Sequence, residues 1–216
     1  MDFSISTDLE EIRRRVAEFV EERLIPLEAD RANYDAHENI ALDVLERERA
    51  AARDAGLWCL QMPQELGGGG LSKAGMAVIY EEMNRSIFGP VVFNSAAPDD
   101  GNMMVLGALG TKAQRERWLD PIMRGEVRSA FAMTEPAPGG GSDPGMMLTR
   151  AEKRGDRYVV HGRKWFITGA DEAAHFILVA RTSDDAKRGH TAFLFHRDDP
   201  GWSIERRIPI MGPEEH

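Results

Sequence analysis

The residues best suited to chemistry fall in two stretches of the second half of the chain. The first is Phe131-Ala132-Met133-Thr134-Glu135-Pro136, which runs into Ala137-Pro138-Gly139-Gly140-Gly141-Ser142-Asp143. It is an apolar run opening into a glycine-rich loop, with a hydroxyl and a carboxylate at each end. Glycines let backbone approach a ligand closely. Successive N–H groups, with the Ser142 hydroxyl, could cradle a phosphate or a ring carbonyl. By composition alone the same loop also reads as a long turn between strands. It has no Walker lysine and no GxGxxG step from strand to helix, so P-loop and Rossmann assignments fail.

The second stretch is Gly162-Arg163-Lys164-Trp165-Phe166-Ile167-Thr168-Gly169-Ala170. Read as a strand, it puts Trp165 and Ile167 on one face and Phe166 and Thr168 on the other. An aromatic ring beside a hydroxyl can pack a flat heterocycle and hydrogen-bond its edge; two aromatics in a strand also read as ordinary core.

Other chemistry is sparse. The six histidines, His37, His161, His175, His190, His196 and His216, form no HExxH and no tight cluster, which argues against a metal site. The single cysteine, Cys59, excludes a disulfide framework. The formal net charge is −9, and residues 1–127 carry all of it, with 14 basic and 23 acidic side chains against 13 of each in residues 128–216. A nucleic-acid binder shows the opposite bias. No apolar run is long enough to span a membrane. The start of the chain lacks the charge and apolar pattern of a leader peptide, so the expected compartment is reducing and cytoplasmic.

The elements that must position these residues change character along the chain. Residues 1–127 read as helices. Thr7 with Glu10 forms a capping box before an amphipathic run that Pro26 should end. A second helix is expected over Glu38–Ala55 with Gly56 as its stop. Ser72 caps a third carrying Met76, Ile79, Tyr80, Met83 and Ile87. A fourth spans Asp99–Leu109, and Thr111 with Gln114 caps a short one. Arg13, Arg14 and Arg15 should pair with Glu10, Glu11 and Glu18 along their helix, and Asp99-Asp100 reads as a solvated face. Residues 128–216 read as antiparallel β-sheet, a barrel or sandwich. The expected strands are Ser129–Met133, Tyr158–His161, Lys164–Thr168, Phe176–Ala180, Thr191–Phe195 and Trp202–Ile208. The fold class is therefore α+β, an N-terminal helical domain followed by a β domain. So short a sheet leaves an open edge, which suggests a longer architecture cut at His216.

Thr-Glu-Pro, then Gly-Ser-Asp, then Gly-x-Lys-x-aromatic-Ile-Thr resembles the acyl-CoA dehydrogenase family. Upstream, Pro63-Gln64-Glu65-Leu66-Gly67-Gly68, Tyr80-Glu81-Glu82 and Gly110-Thr111-Lys112-Ala113-Gln114 agree with it in order. The resemblance covers the family's N-terminal helical domain and most of its middle β domain, without the C-terminal helical bundle. It implies FAD as cofactor, with Phe131, Met133 and Thr134 along the flavin pyrimidine edge and Phe166 against the ring, where the family often has Trp. It places Thr168 at the N5 region and Ser142 near the pyrophosphate or the acyl-CoA substrate. A donor near N5 favours hydride acceptance. The resemblance further implies α,β-dehydrogenation of an acyl-CoA thioester, an electron-transfer flavoprotein or similar acceptor, and a homo-oligomer.

Two departures stand out. Six residues separate Glu135-Pro136 from Asp143, where the family usually has four, so the role of Ser142 is less secure than that of Thr168. The family's catalytic base is a Glu in the bundle, and no residue here inherits it. The chain alone is accordingly expected to be inactive, to hold FAD weakly or not at all, and to self-associate. A non-catalytic flavin-binding or assembly module, or an acyl-CoA oxidase or monooxygenase relative, are the alternatives.

Overall fold

The computed structural model describes residues 4–185 and 188–209; the chain end at His216 lies outside them. The backbone divides into two compact units, one of residues Met1–Leu109 and one beginning at Gly110.

The first unit is helical. Helix Thr7–Phe19 begins one residue earlier than the capping box implies: the Ser6 side chain accepts from the Leu9 N–H at 3.3 Å. Glu10 instead pairs with Arg13 at 2.7 Å, and Arg14 pairs with Glu11 and Glu18. Arg15 turns away to the Ala55 carbonyl. Pro26 does not end the run. A wider turn over Val20–Leu24 precedes it, and the helical path continues through Pro26 in Ile25–Glu28. The second helix starts at Leu42 rather than Glu38, because Glu38 takes a left-handed φ of 64° in the turn before it. Gly56, at φ 64°, stops it as expected. Helix Lys73–Met83 is capped by Ser72 but ends before Ile87, which is exposed. Helix Asp99–Leu109 forms as expected, with Asp99 only 3% exposed rather than solvated. Val16, Val20, Leu24, Ile79, Met83 and Phe93 are fully buried in the shared core.

The second unit opens with the capping box of Thr111 and Gln114, then a curled mixed sheet that forms a half-barrel. Its strands are β1 (Arg128–Ala132), β2 (Arg150–Arg154), β3 (Arg157–His161), β4 (Ala173–Arg181) and β5 (His190–His196). The expectation of a wholly antiparallel sheet is corrected. β2 pairs β3 and β4 pairs β5 antiparallel, but β1 runs parallel to β4 with Phe131 opposite Ile177, and β2 meets the end of β4 in parallel at Arg150 and Arg181. The long excursion between β1 and β4 makes the parallel pairing possible. Two expected strands are absent. Lys164–Thr168 is irregular because Phe166 has φ 50°, a left-handed conformation no strand tolerates. Trp202–Ile208 lies in coil without a ladder partner among the described residues. Trp202 nevertheless packs on Phe176 and Phe195 with ring centroids 4.9 and 5.4 Å away.

Candidate functional site

The two motif stretches meet at the C-terminal end of β1. The Trp165 N–H donates to the Thr134 carbonyl at 3.0 Å. The Lys164 ammonium donates to the Met133 carbonyl and to Glu135 Oε1, each at 2.8 Å. Glu135 also accepts from the Leu148 N–H at 2.6 Å and the Thr149 N–H at 2.9 Å. One carboxylate therefore joins the exit of β1, the entry to β2 and the segment after β3. Both partners are buried, with 10% of the Lys164 side chain and 4% of that of Glu135 exposed.

Burial pushes the Glu135 carboxyl up, but the Lys164 ammonium and the Leu148 and Thr149 donors outweigh it and hold the group below its usual 4.5. Burial also holds the Lys164 ammonium below its usual 10.5, against the opposing pull of Glu135. The pair was not singled out in the sequence. Its signal was a carboxylate and a lysine set in otherwise largely apolar motifs.

The glycine-rich loop folds back over this pair. Glu135 N–H donates to the Gly141 carbonyl at 3.1 Å, closing the loop. Gly139 passes directly above Glu135, where a Cβ would lie 2.8 Å from the carboxylate oxygen Oε2. Gly141 also forms an antiparallel bridge with Glu135, while the N–H groups of Gly140 and Ser142 donate to no acceptor among the described residues. Ser142 itself is exposed.

Phe166 and Thr168 line a groove of about 1100 Å³ whose floor includes Ala132, Phe176 and Phe195. Phe166 is 54% exposed, and its ring edges against Trp165 at 4.8 Å. Holding a bulky residue at left-handed φ costs about 1–3 kcal/mol, so its surroundings must fix it. Phe131, Met133, Thr134 and Ser142 do not line the groove. By strand alternation Phe131 and Met133 stand on the face opposite Ala130 and Ala132. The six candidate residues thus form no single lining; the backbone at Thr134 and Trp165 is what comes together. The half-buried Thr134 and Thr168 hydroxyls have no protein partner among the described residues.

These features fit a flavin nucleotide: unclaimed hydroxyls for a ring edge, an exposed aromatic surface, and the unclaimed amides of Gly140 and Ser142 for an anion. Among the described residues there is no metal-ligating cluster, and no helix is long and apolar enough to cross a membrane.

Comparison with known proteins agrees with the motifs. The chain is 36% identical over 221 aligned positions to the probable acyl-CoA dehydrogenase FadE2 of Mycobacterium tuberculosis, covering 98% of this chain and 53% of that protein. The solved structure of a putative acyl-CoA dehydrogenase from Mycobacterium abscessus superposes with a TM-score of 0.87 at 38% identity, over 99% of this chain and 56% of that one. Butyryl-CoA dehydrogenase from Megasphaera elsdenii superposes with a TM-score of 0.75 at 25% identity, over 100% of this chain and 55% of that one. The chain spans about half the length of these proteins. The family model for the acyl-CoA dehydrogenase N-terminal domain matches residues 6–126 and that for the middle domain residues 130–216, so the chain belongs to the acyl-CoA dehydrogenase family.

Proposed function

We propose that this chain forms part of the flavin site of an FAD-dependent acyl-CoA dehydrogenase, which removes hydrogens from the α and β carbons of an acyl-CoA thioester. What supports this reading most is the junction of the Thr134-Glu135-Pro136 and Lys164–Thr168 segments, where the Trp165 N–H meets the Thr134 carbonyl and two threonine hydroxyls have no protein partner. When bound, FAD supplies the acceptor for the hydride leaving the β carbon. Thr168 would donate toward the N5 region, and Thr134 with the backbone near Phe131 and Met133 would meet the pyrimidine edge. The Phe166 ring would cover one face and keep water from it. The free amides of Gly140 and Ser142 would receive the pyrophosphate or a phosphate of the acyl-CoA. The carboxylate that takes the α proton comes from outside the described residues.

The 216-residue chain alone is inactive and binds FAD too weakly to carry it through purification, while direct titration still detects binding. In a protein of the relatives' length containing this chain, anaerobic addition of acyl-CoA thioesters should bleach the flavin absorbance. A protein that binds FAD yet shows no bleaching with short, long or branched thioesters would rule out the dehydrogenase chemistry. The electron acceptor is an electron-transfer flavoprotein or a similar carrier, the working form is a homo-oligomer, and a reducing cytoplasmic setting suits the lone buried thiol of Cys59.

A further inference from the structure

Resting on the flavin reading above, we propose that Lys164 is a positioning residue, which together with Glu135 fixes the exit of β1 against the segment that presents Phe166 and Thr168. A buried ion pair is a poor source of stability, because removing two charges from water costs about what their attraction returns, and an apolar pair of the same volume often serves as well. An apolar pair cannot aim the chain, however. The Lys164 ammonium directs its bonds to the Met133 carbonyl and to Glu135, both at the exit of β1. Glu135 in turn holds the Leu148 and Thr149 amides. Three segments distant in sequence are brought into one register by two side chains.

The need for that register lies in the next residues. Phe166 has a left-handed φ of 50° and persists there only if both sides are fixed. On one side stand the Lys164 bonds and the Trp165 N–H to the Thr134 carbonyl. On the other, Ile167 packs against the cluster of Ala130, Ala173 and Phe176, and its carbonyl accepts the Ala170 N–H at 3.2 Å. Without Lys164 the first anchor fails. Phe166 then relaxes toward extended backbone and carries its ring and the Thr168 hydroxyl away from the Thr134 edge.

The test is an FAD titration of the ¹⁵N-labelled 216-residue chain, followed by backbone amide spectra, with Lys164→Met and the double variant Glu135→Leu/Lys164→Met. In the wild type, FAD should shift the amides of Thr134 and of residues 165–168. Both variants should lose at least tenfold in FAD affinity, and the Trp165 amide should exchange with solvent at least tenfold faster without any flavin. The double variant buries no charge and keeps apolar volume, so it should retain the spectrum of the folded sheet even if the single one does not. A folded double variant with wild-type FAD affinity would overturn the positioning role while leaving the flavin reading intact. If neither the wild-type chain nor a protein of the relatives' length containing it binds FAD, the flavin reading itself is overturned, and the positioning role with it.

Discussion

Replacing Lys164 by Met leaves the Glu135 carboxylate buried with only its two amide donors. Breaking a buried pair in this way costs about 3–5 kcal/mol, because the surviving charge is no longer compensated. The carboxyl has an escape, which sets an upper bound: it can take up a proton. From its usual value of 4.5, protonation at pH 7 costs about 3.4 kcal/mol. The expected loss at pH 7 is therefore about 3 kcal/mol, or on the order of 15 °C in the melting temperature of a domain of roughly 100 residues. The pH dependence identifies the cause. In the wild type Glu135 is held below 4.5, so its contribution is fully present above that value and lost only as pH falls through the lower folded value. In Lys164→Met the folded value rises above the unfolded one, so stability is lost as pH rises from about 5 toward neutrality. The gap between the two proteins should narrow by more than 1 kcal/mol between pH 7 and pH 5. Urea melts at several pH values measure it. A loss below about 1 kcal/mol at pH 7, as for an exposed pair, or a gap independent of pH, would mean that Glu135 is not left as an uncompensated buried charge.

Gly162→Ala should destabilise the second unit by about 1–3 kcal/mol, because the new Cβ would lie 2.1 Å from Thr149 Oγ1 and 2.6 Å from Thr149 Cβ; an unchanged urea midpoint would show that the approach is not so close. His175 is buried against the Trp118 carbonyl at 3.1 Å from Nδ1, which must carry the proton, and burial holds its imidazole below the usual 6.5. The unfolded chain then takes up a proton first, so stability falls as pH drops below about 6.5. His175→Gln should flatten that slope between pH 7.5 and pH 5, and identical slopes would count against it. The Cys59 thiol, buried and pushed up to about 11, should resist a thiol-exchange reagent at pH 8 until guanidinium unfolds the chain; rapid reaction in the native state would contradict the burial.

The parts of this molecule legible in its sequence were those decided locally. Ser72, Gly56 and the Thr111–Gln114 box mark helix ends because the cap and the groups it satisfies are neighbours. β4 and β5 are apolar and β-branched enough to declare themselves. β2 is not: Arg150-Ala151-Glu152-Lys153-Arg154 buries only Ala151, so no alternation reveals it. The parallel pairing of β1 with β4 depends on where a long excursion returns, which no local pattern encodes. Lys164–Thr168 has strand composition, but bonds from Lys164 and Trp165 to the exit of β1 and the left-handed Phe166 overrule it. The motifs pointed to the right family, yet Phe131 and Met133 face away from the groove that Phe166 and Thr168 line. Residue type identified the segments, and only the fold showed that they meet through backbone.

If the exit of β1 and the Lys164–Thr168 segment together form one flavin edge, as proposed, bound FAD must touch both. Contacts between bound FAD and the methyl groups of Thr134 and Thr168 can be read as intermolecular NOEs from the isoalloxazine ring protons. NOEs to both methyls are expected in the same complex. NOEs confined to the groove floor at Phe176 and Phe195, with neither threonine in contact, would contradict the proposal.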